Sequence, residues 1–213
     1  MYLSRLILNP RSRRVQRELS DPYQMHRSIM RAFPDDLDGR SERVLFRIDA
    51  PPRGGPLSLL VESMCRPDWS WLAEDEGARG YLLGTEEPNP WVKEFVLEFK
   101  PGQVLAFRLR ANPTIKRKSK RLGLYRDQEQ MNWLARKAEQ SGFRLLSMRT
   151  ANEAVLGGVV HRESRKHNLR LLSVQFDGLL QVQEPALLQD AARHGIGSGK
   201  GFGFGLLSLA RPV

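Results

Sequence analysis

The sequence predicts an α+β protein, and three observations lead there. Stretches that alternate apolar and polar residues, such as VLFRI at 44–48 and VLAFRLR at 104–110, read as strands with one buried face. Between them run QMHRSIMRAF and MNWLARKA, whose apolar residues recur at helical spacing. The order strand, helix, strand, strand, helix, strand fills the first half and returns in the second, with no repeat at the residue level. Two tandem ferredoxin-like (βαββαβ, RRM-like) domains are the economical architecture, at residues 1–100 and 101–213. A chain of 213 residues is long enough for each half to bury its own core.

Each element has its own warrant. YLSRLIL at 2–8 is a short apolar strand closed by Asn9 and Pro10. Asp21 as N-cap and Pro22 at the first helical position open a helix whose stripe is Met25, Ile29, Ala32 and Phe33. In 44–48, Val44, Phe46 and Ile48 share a face; LSLLVESM at 57–64 is the hairpin partner. A weak helical stretch near 66–73 and a loop at 74–90 precede EFVLEF at 94–99, the fourth strand. In 104–113, Leu105, Phe107 and Leu109 face one way while Arg108 and Arg110 line an exposed sheet face. KRKSKR at 116–121 reads as a loop, too charged and too short to bury anything. Asp127 with Gln130 resembles a capping box for a helix that stops at Gly142. FRLLSMR at 143–149 is a strand, and 151–160 carries only a weak signal. NLRLLSVQFDGLLQVQ at 168–183 reads as a strand, an Asp-Gly turn and a partner strand. A helix from Glu184 to Arg193 ends at Gly195, and LLSLA at 206–210 is the last strand.

With 34 Lys and Arg against 24 Asp and Glu, the net charge of +10 favours a polyanionic partner, nucleic acid first and anionic membrane second. No stretch approaches the roughly 20 apolar residues that span a bilayer, so a cytoplasmic protein is expected, with no membrane partner. A single cysteine, Cys65, excludes an internal disulfide and a Cys-based zinc cluster. His26, His161, His167 and His194 show no metal-ligand spacing, and neither a metal nor a small-molecule cofactor is expected.

GIGSGKGFGFGLLSL at 195–209 brings side-chain-free backbone to one place, yet it is no Walker loop and misses GxGxxG in every register. Backbone NH groups around Gly199 and Gly201, with Lys200, are candidate phosphate contacts. KGFGF fits the first five positions of RNP1, so Phe202 and Phe204 either stack on bases or pack in the core.

The helix of 22–33 holds the candidate chemistry. At about 100° per residue, His26 and Tyr23 fall on the flank of its apolar stripe, with Arg27 and Arg31 further around. His26 either rims the core or transfers protons, for which histidine is suited because its pKa lies near neutrality. RNA carries its own nucleophile: the 2′-hydroxyl attacks the adjacent phosphorus once a base takes its proton. Tyr23 can share that transfer, and Arg27 or Arg31 can stabilise the phosphate charge.

YLS at the start, PYQMHR, FRLRANP at 107–113 and the glycine-rich tail up to LLSLA, in register, resemble the CasE-type CRISPR-associated endoribonucleases of the Cascade complex. The resemblance implies two ferredoxin-like domains that bind the hairpin of a CRISPR repeat RNA, cleave once at its 3′ base without metal, and retain the product among the other Cascade subunits. It implies a 2′,3′-cyclic phosphate, His26 as acid or base, Tyr23 as its helper and Arg31 as the basic position of the helix. HRESRKHNLR at 161–170 falls where the family places a basic hairpin, making Arg162, Arg165 and Lys166 candidate stem contacts. Lys116, Arg117 and Lys118 either contact RNA or belong to a solvated loop. Two rivals remain: a non-catalytic subunit binding structured RNA, and a scaffold whose charge meets an acidic protein.

Overall fold

A computed structural model describes residues 1–37, 43–50, 55–118, 120–162 and 165–212, without the side chains at 120, 152–154, 156–162 and 165–170. The chain divides into two compact units. One comprises Met1–Val96 with Gly201–Gly203, the other Leu97–Lys200 with Phe204–Val213.

In the first unit β1 (Tyr2–Leu8), β2 (Leu45–Asp49), β3 (Leu57–Ser63) and β4 (Trp91–Glu94) form an antiparallel sheet in the order β2-β3-β1-β4. This is the ferredoxin-like order, in which the first and third strands are central. Two consecutive helices, α1 (Arg13–Ser20) and α2 (Pro22–Met30), follow β1. Leu6 and Leu8 of β1 and Leu59 and Val61 of β3 share a core with Val15 of α1 and Met25 and Ile29 of α2. Each such fully buried side chain stabilises the fold by about 1.5–3 kcal/mol. The second helical connection is short: α3 (Trp71–Glu74) and a 3₁₀ turn at Glu76–Ala78.

The expected strand at 94–99 is displaced towards the N-terminus. β4 pairs with β1 from Tyr2↔Glu94 to Arg5↔Trp91. Since β1 begins at Tyr2, the partner runs out there: Phe95 N–H still donates to the Met1 carbonyl at 2.9 Å, and Val96 is 76% exposed.

In the second unit β5 (Val104–Ala111), β8 (Phe143–Arg162), β9 (Arg165–Val182) and β10 (Leu207–Ala210) repeat that topology in the order β10-β5-β9-β8, with α4 (Asp127–Gln140) and α5 (Pro185–His194) as its helices. Leu105, Phe107, Leu109, Leu134, Phe176 and Leu180 are among its core residues. Three expectations are corrected here. KRKSKR is not a loop: β6 (Thr114–Arg117) and β7 (Lys120–Gly123) pair antiparallel as a separate hairpin. Lys116 faces Arg121 and Arg117 faces Lys120, a repulsion that hides the strands from a reading of charge. Ile115 opposite Leu122 supplies the apolar pair.

The Asp-Gly turn is absent too, because β9 runs unbroken through Asp177 and Gly178 against β8. A register shift between Leu145 and Ser147 brings the backbone of β8 so close that a Cβ at Gly178 would lie 2.1 Å from the Ser147 carbonyl oxygen. The glycine serves a close approach. Lastly, the N-cap expected at Asp127 lies one residue earlier. Arg126 is the N-cap, and the buried Gln130 side chain donates to the Leu124 carbonyl at 3.1 Å. Among the described residues, no helix is long and apolar enough to cross a membrane.

Candidate functional site

α2 starts as its sequence dictates: the Asp21 carboxylate accepts from Tyr23 N–H at 3.1 Å, and Pro22 occupies the first turn. Met25 and Ile29 pull one face into the core, and Ala32 and Phe33 continue that stripe beyond the helix end. His26 lies one position round and is half-buried. Its ring stacks, offset, on Phe46, with centroids 6.2 Å apart and planes 13° apart. Nδ1 is shut off from solvent and has no hydrogen-bond partner among the described residues. On the Nε2 side comes the backbone of Gly201: a Cβ there would stand 3.7 Å from Nε2 and 3.6 Å from Cδ2. Burial lowers the pKa of His26 below its ordinary 6.5, so the imidazole is neutral at pH 7. A neutral ring with one accessible nitrogen is equipped to accept a proton.

Tyr23, half-buried, sits one turn before His26, and Arg27 is exposed beside it. Arg31 is engaged elsewhere. Five residues along a helix correspond to a rotation of about 140° from His26. Its guanidinium forms an ion pair with Asp75 and lies 4.2 Å from the centre of the Trp71 ring. Arg31 and Arg14, with Gly77 N–H, hold the Asp75 carboxyl down at about 2, so this partner stays ionised. Reading the sequence missed both Asp75 and Trp71, which stand at the end and the start of the short α3 and carry no motif.

In the second unit, Arg108 donates to Asp177 at 2.6 Å. Arg110 donates to Ser173 Oγ at 2.8 Å and lies over the Phe204 ring at 5.8 Å. Lys116, Arg117 and Lys118 are exposed on the hairpin and its turn. Arg162 and Arg165 are the last register pair at the tip of β8 and β9, next to His161↔Lys166; the side chains of Arg162, Arg165 and Lys166 lie outside the described residues. Gly199 has φ +81°, and a Cβ there would press within 3.0 Å of Phe204. Phe204 is fully buried and so is a core residue; base stacking on it is overturned, while Phe202 is half-buried. Lys200 opens a 3₁₀ turn and is half-buried. Among the described residues no three His, Cys, Asp or Glu side chains converge as a metal site requires.

A family model described as CRISPR associated protein matches residues 1–211. The CRISPR-associated endoribonuclease Cse3 of Thermus thermophilus is 38% identical over 99% of this chain and 100% of its own. A solved structure of CRISPR endoribonuclease Cse3 bound to a 19-nucleotide RNA has a TM-score of 0.85 at 36% identity, covering 99% of this chain and 100% of that one. The Cascade subunit CasE of Escherichia coli is 29% identical over 99% of each chain. The chain therefore belongs to the CRISPR-associated proteins, among the CasE-type endoribonucleases.

Proposed function

We propose that the chain is an endoribonuclease that processes CRISPR repeat RNA: it binds the repeat hairpin, cuts at the 3′ base of the stem and keeps the product as a cytoplasmic Cascade subunit. An endoribonuclease, an RNA-bound enzyme and a Cascade subunit among its relatives support the substrate class and the partners. The observation that carries the reading in this chain is His26, a half-buried imidazole kept neutral by its burial and facing the Gly201 backbone.

The nucleophile of the reaction belongs to the RNA, and the residues of α2 move its protons. His26 takes the proton of the ribose 2′-hydroxyl through Nε2. The freed oxygen attacks the adjacent phosphorus, the bond from phosphorus to the 5′-oxygen breaks, and a 2′,3′-cyclic phosphate remains. Tyr23 gives the leaving oxygen its proton, so that a 5′-hydroxyl is released. Arg27, exposed next to His26, and Arg31, held by Asp75, add positive charge to this helix. The stem is recognised by shape and phosphates, since an A-form major groove is too narrow to read. Arg108, Arg110, Lys116, Arg117, Lys118, Arg162, Arg165, Lys166 and Lys200 supply that contact.

Incubating the protein with the host repeat RNA in EDTA tests the reading. A shorter product ending in a cyclic phosphate is expected; retarded but intact RNA would leave a binding subunit without catalysis. Because burial depresses the pKa of His26, the cleavage rate should climb with pH on the acid side and level off below 6.5. A rate that falls over that range would reverse the role of His26 to acid.

A further inference from the structure

Behind α2 lies a buried polar cluster centred on Glu18 of α1, only 2% exposed. One carboxylate oxygen accepts from Ser28 Oγ at 2.6 Å and from Arg14 Nε at 2.9 Å. The other accepts from the Tyr81 hydroxyl at 2.6 Å. Ser28 follows His26 by two positions on α2. The Tyr81 hydroxyl also lies 3.4 Å from Met25 Sδ, one position before it. Arg14 completes the frame, reaching Ser28 Oγ and Asp75 Oδ2, each at 3.1 Å.

A buried charge served by three donors adds little net stability, for apolar side chains of equal volume commonly hold a core as well. What it adds is direction. Met25 and Ile29 can slide in an apolar core at small cost, whereas short, angular hydrogen bonds to a carboxylate fix one rotation of the helix. Rotating α2 would carry His26 away from Phe46 and Gly201. A displacement of about 1 Å in a reacting group costs on the order of 100-fold in rate.

We propose that Glu18 is a positioning residue: by tethering Ser28 and Tyr81 it sets the rotation of α2 that stacks His26 on Phe46 and turns Nε2 towards Gly201. This rests on His26 as the reacting group, so the test includes a readout independent of cleavage. Glu18→Gln, Ser28→Ala and Leu6→Ala are compared, the last removing core volume from β1, a strand not adjacent to the one that carries Phe46. Measured are single-turnover cleavage with enzyme in excess, hairpin affinity, and the titration of His26 by NMR.

Glu18→Gln and Ser28→Ala are expected to slow cleavage about tenfold or more at nearly unchanged affinity. Both should move the His26 pKa up towards 6.5 as the ring gains water. Leu6→Ala, at comparable thermal destabilisation, should leave the His26 pKa where it is. An unchanged rate and titration in the first two, or the same upward shift in Leu6→Ala, overturns the proposal. Should Glu18→Gln fail to fold, Ser28→Ala, which loses one hydroxyl, decides. A wild-type protein that leaves the repeat uncut would sink the proposed function, while the His26 titration would still judge the tether.

Discussion

The role proposed for His26 depends on partial burial: enough to keep the ring neutral, with one nitrogen still reachable. Gly201 is what leaves room. Its backbone has no positive φ, and the Cβ of an alanine would meet the imidazole at ordinary contact distance, so the fold should accept Gly201→Ala. The added methyl would nevertheless stand in the approach to Nε2. Cleavage is expected to fall at least about tenfold, with stability within roughly 0.5 kcal/mol of wild type. Single-turnover rates and thermal melts check this; a wild-type rate would mean that RNA reaches the ring from another side. A second titratable residue has no part in the chemistry but shapes stability. Burial raises the pKa of Glu62 from 4.5 to about 8, against the pull of Arg47 and the α-amino group. The folded state therefore holds an extra proton between those values, and stability falls as pH rises from 4.5 to 8. Glu62→Gln should flatten that decline in melts across this range, and an unchanged slope would contradict the assignment.

At the level of elements, alternation and the cap at Asp21 were legible while close approaches and the start of α4 were not. The cap at Asp21 and the stripe of Met25 and Ile29 were readable because they obey local rules. Gly178 was misread because Asp-Gly signals a turn locally, while here the glycine answers the Ser147 carbonyl of a neighbouring strand distant in sequence. Gly178→Ala should therefore destabilise by about 1–3 kcal/mol, measurable by denaturant unfolding of the whole chain. A neutral substitution would mean that the strands part easily. The β6–β7 hairpin escaped notice for the opposite reason: charge argued for a loop, and the Ile115–Leu122 pair is too small a signal to outweigh it.

For the whole molecule, the tandem βαββαβ plan was visible in element order, and two sheets of identical topology bear it out. The site was half visible. Tyr23 and His26 share a helix, so spacing alone brings them together, whereas Phe46, Gly201, Asp75 and Glu18 converge only through folding. Arg31 was legible as a cation and illegible as a partner of Asp75 and Trp71. The charge of +10 is a property of the entire surface, and its consequence is salt dependence. Each phosphate contact releases counterions, so affinity for the hairpin should drop steeply with salt. Changing Lys116, Arg117 and Lys118 together to alanine should make that slope shallower. A slope unaltered by the triple change would remove the β6–β7 hairpin from the RNA interface. The most direct measurement maps the ends of the product from host repeat RNA with wild-type protein and with His26→Ala. One cut at the 3′ base of the stem, ending in a 2′,3′-cyclic phosphate and slowed by about 10²–10⁴-fold without the imidazole at unchanged affinity, is expected. Equal cleavage by both proteins would contradict the account.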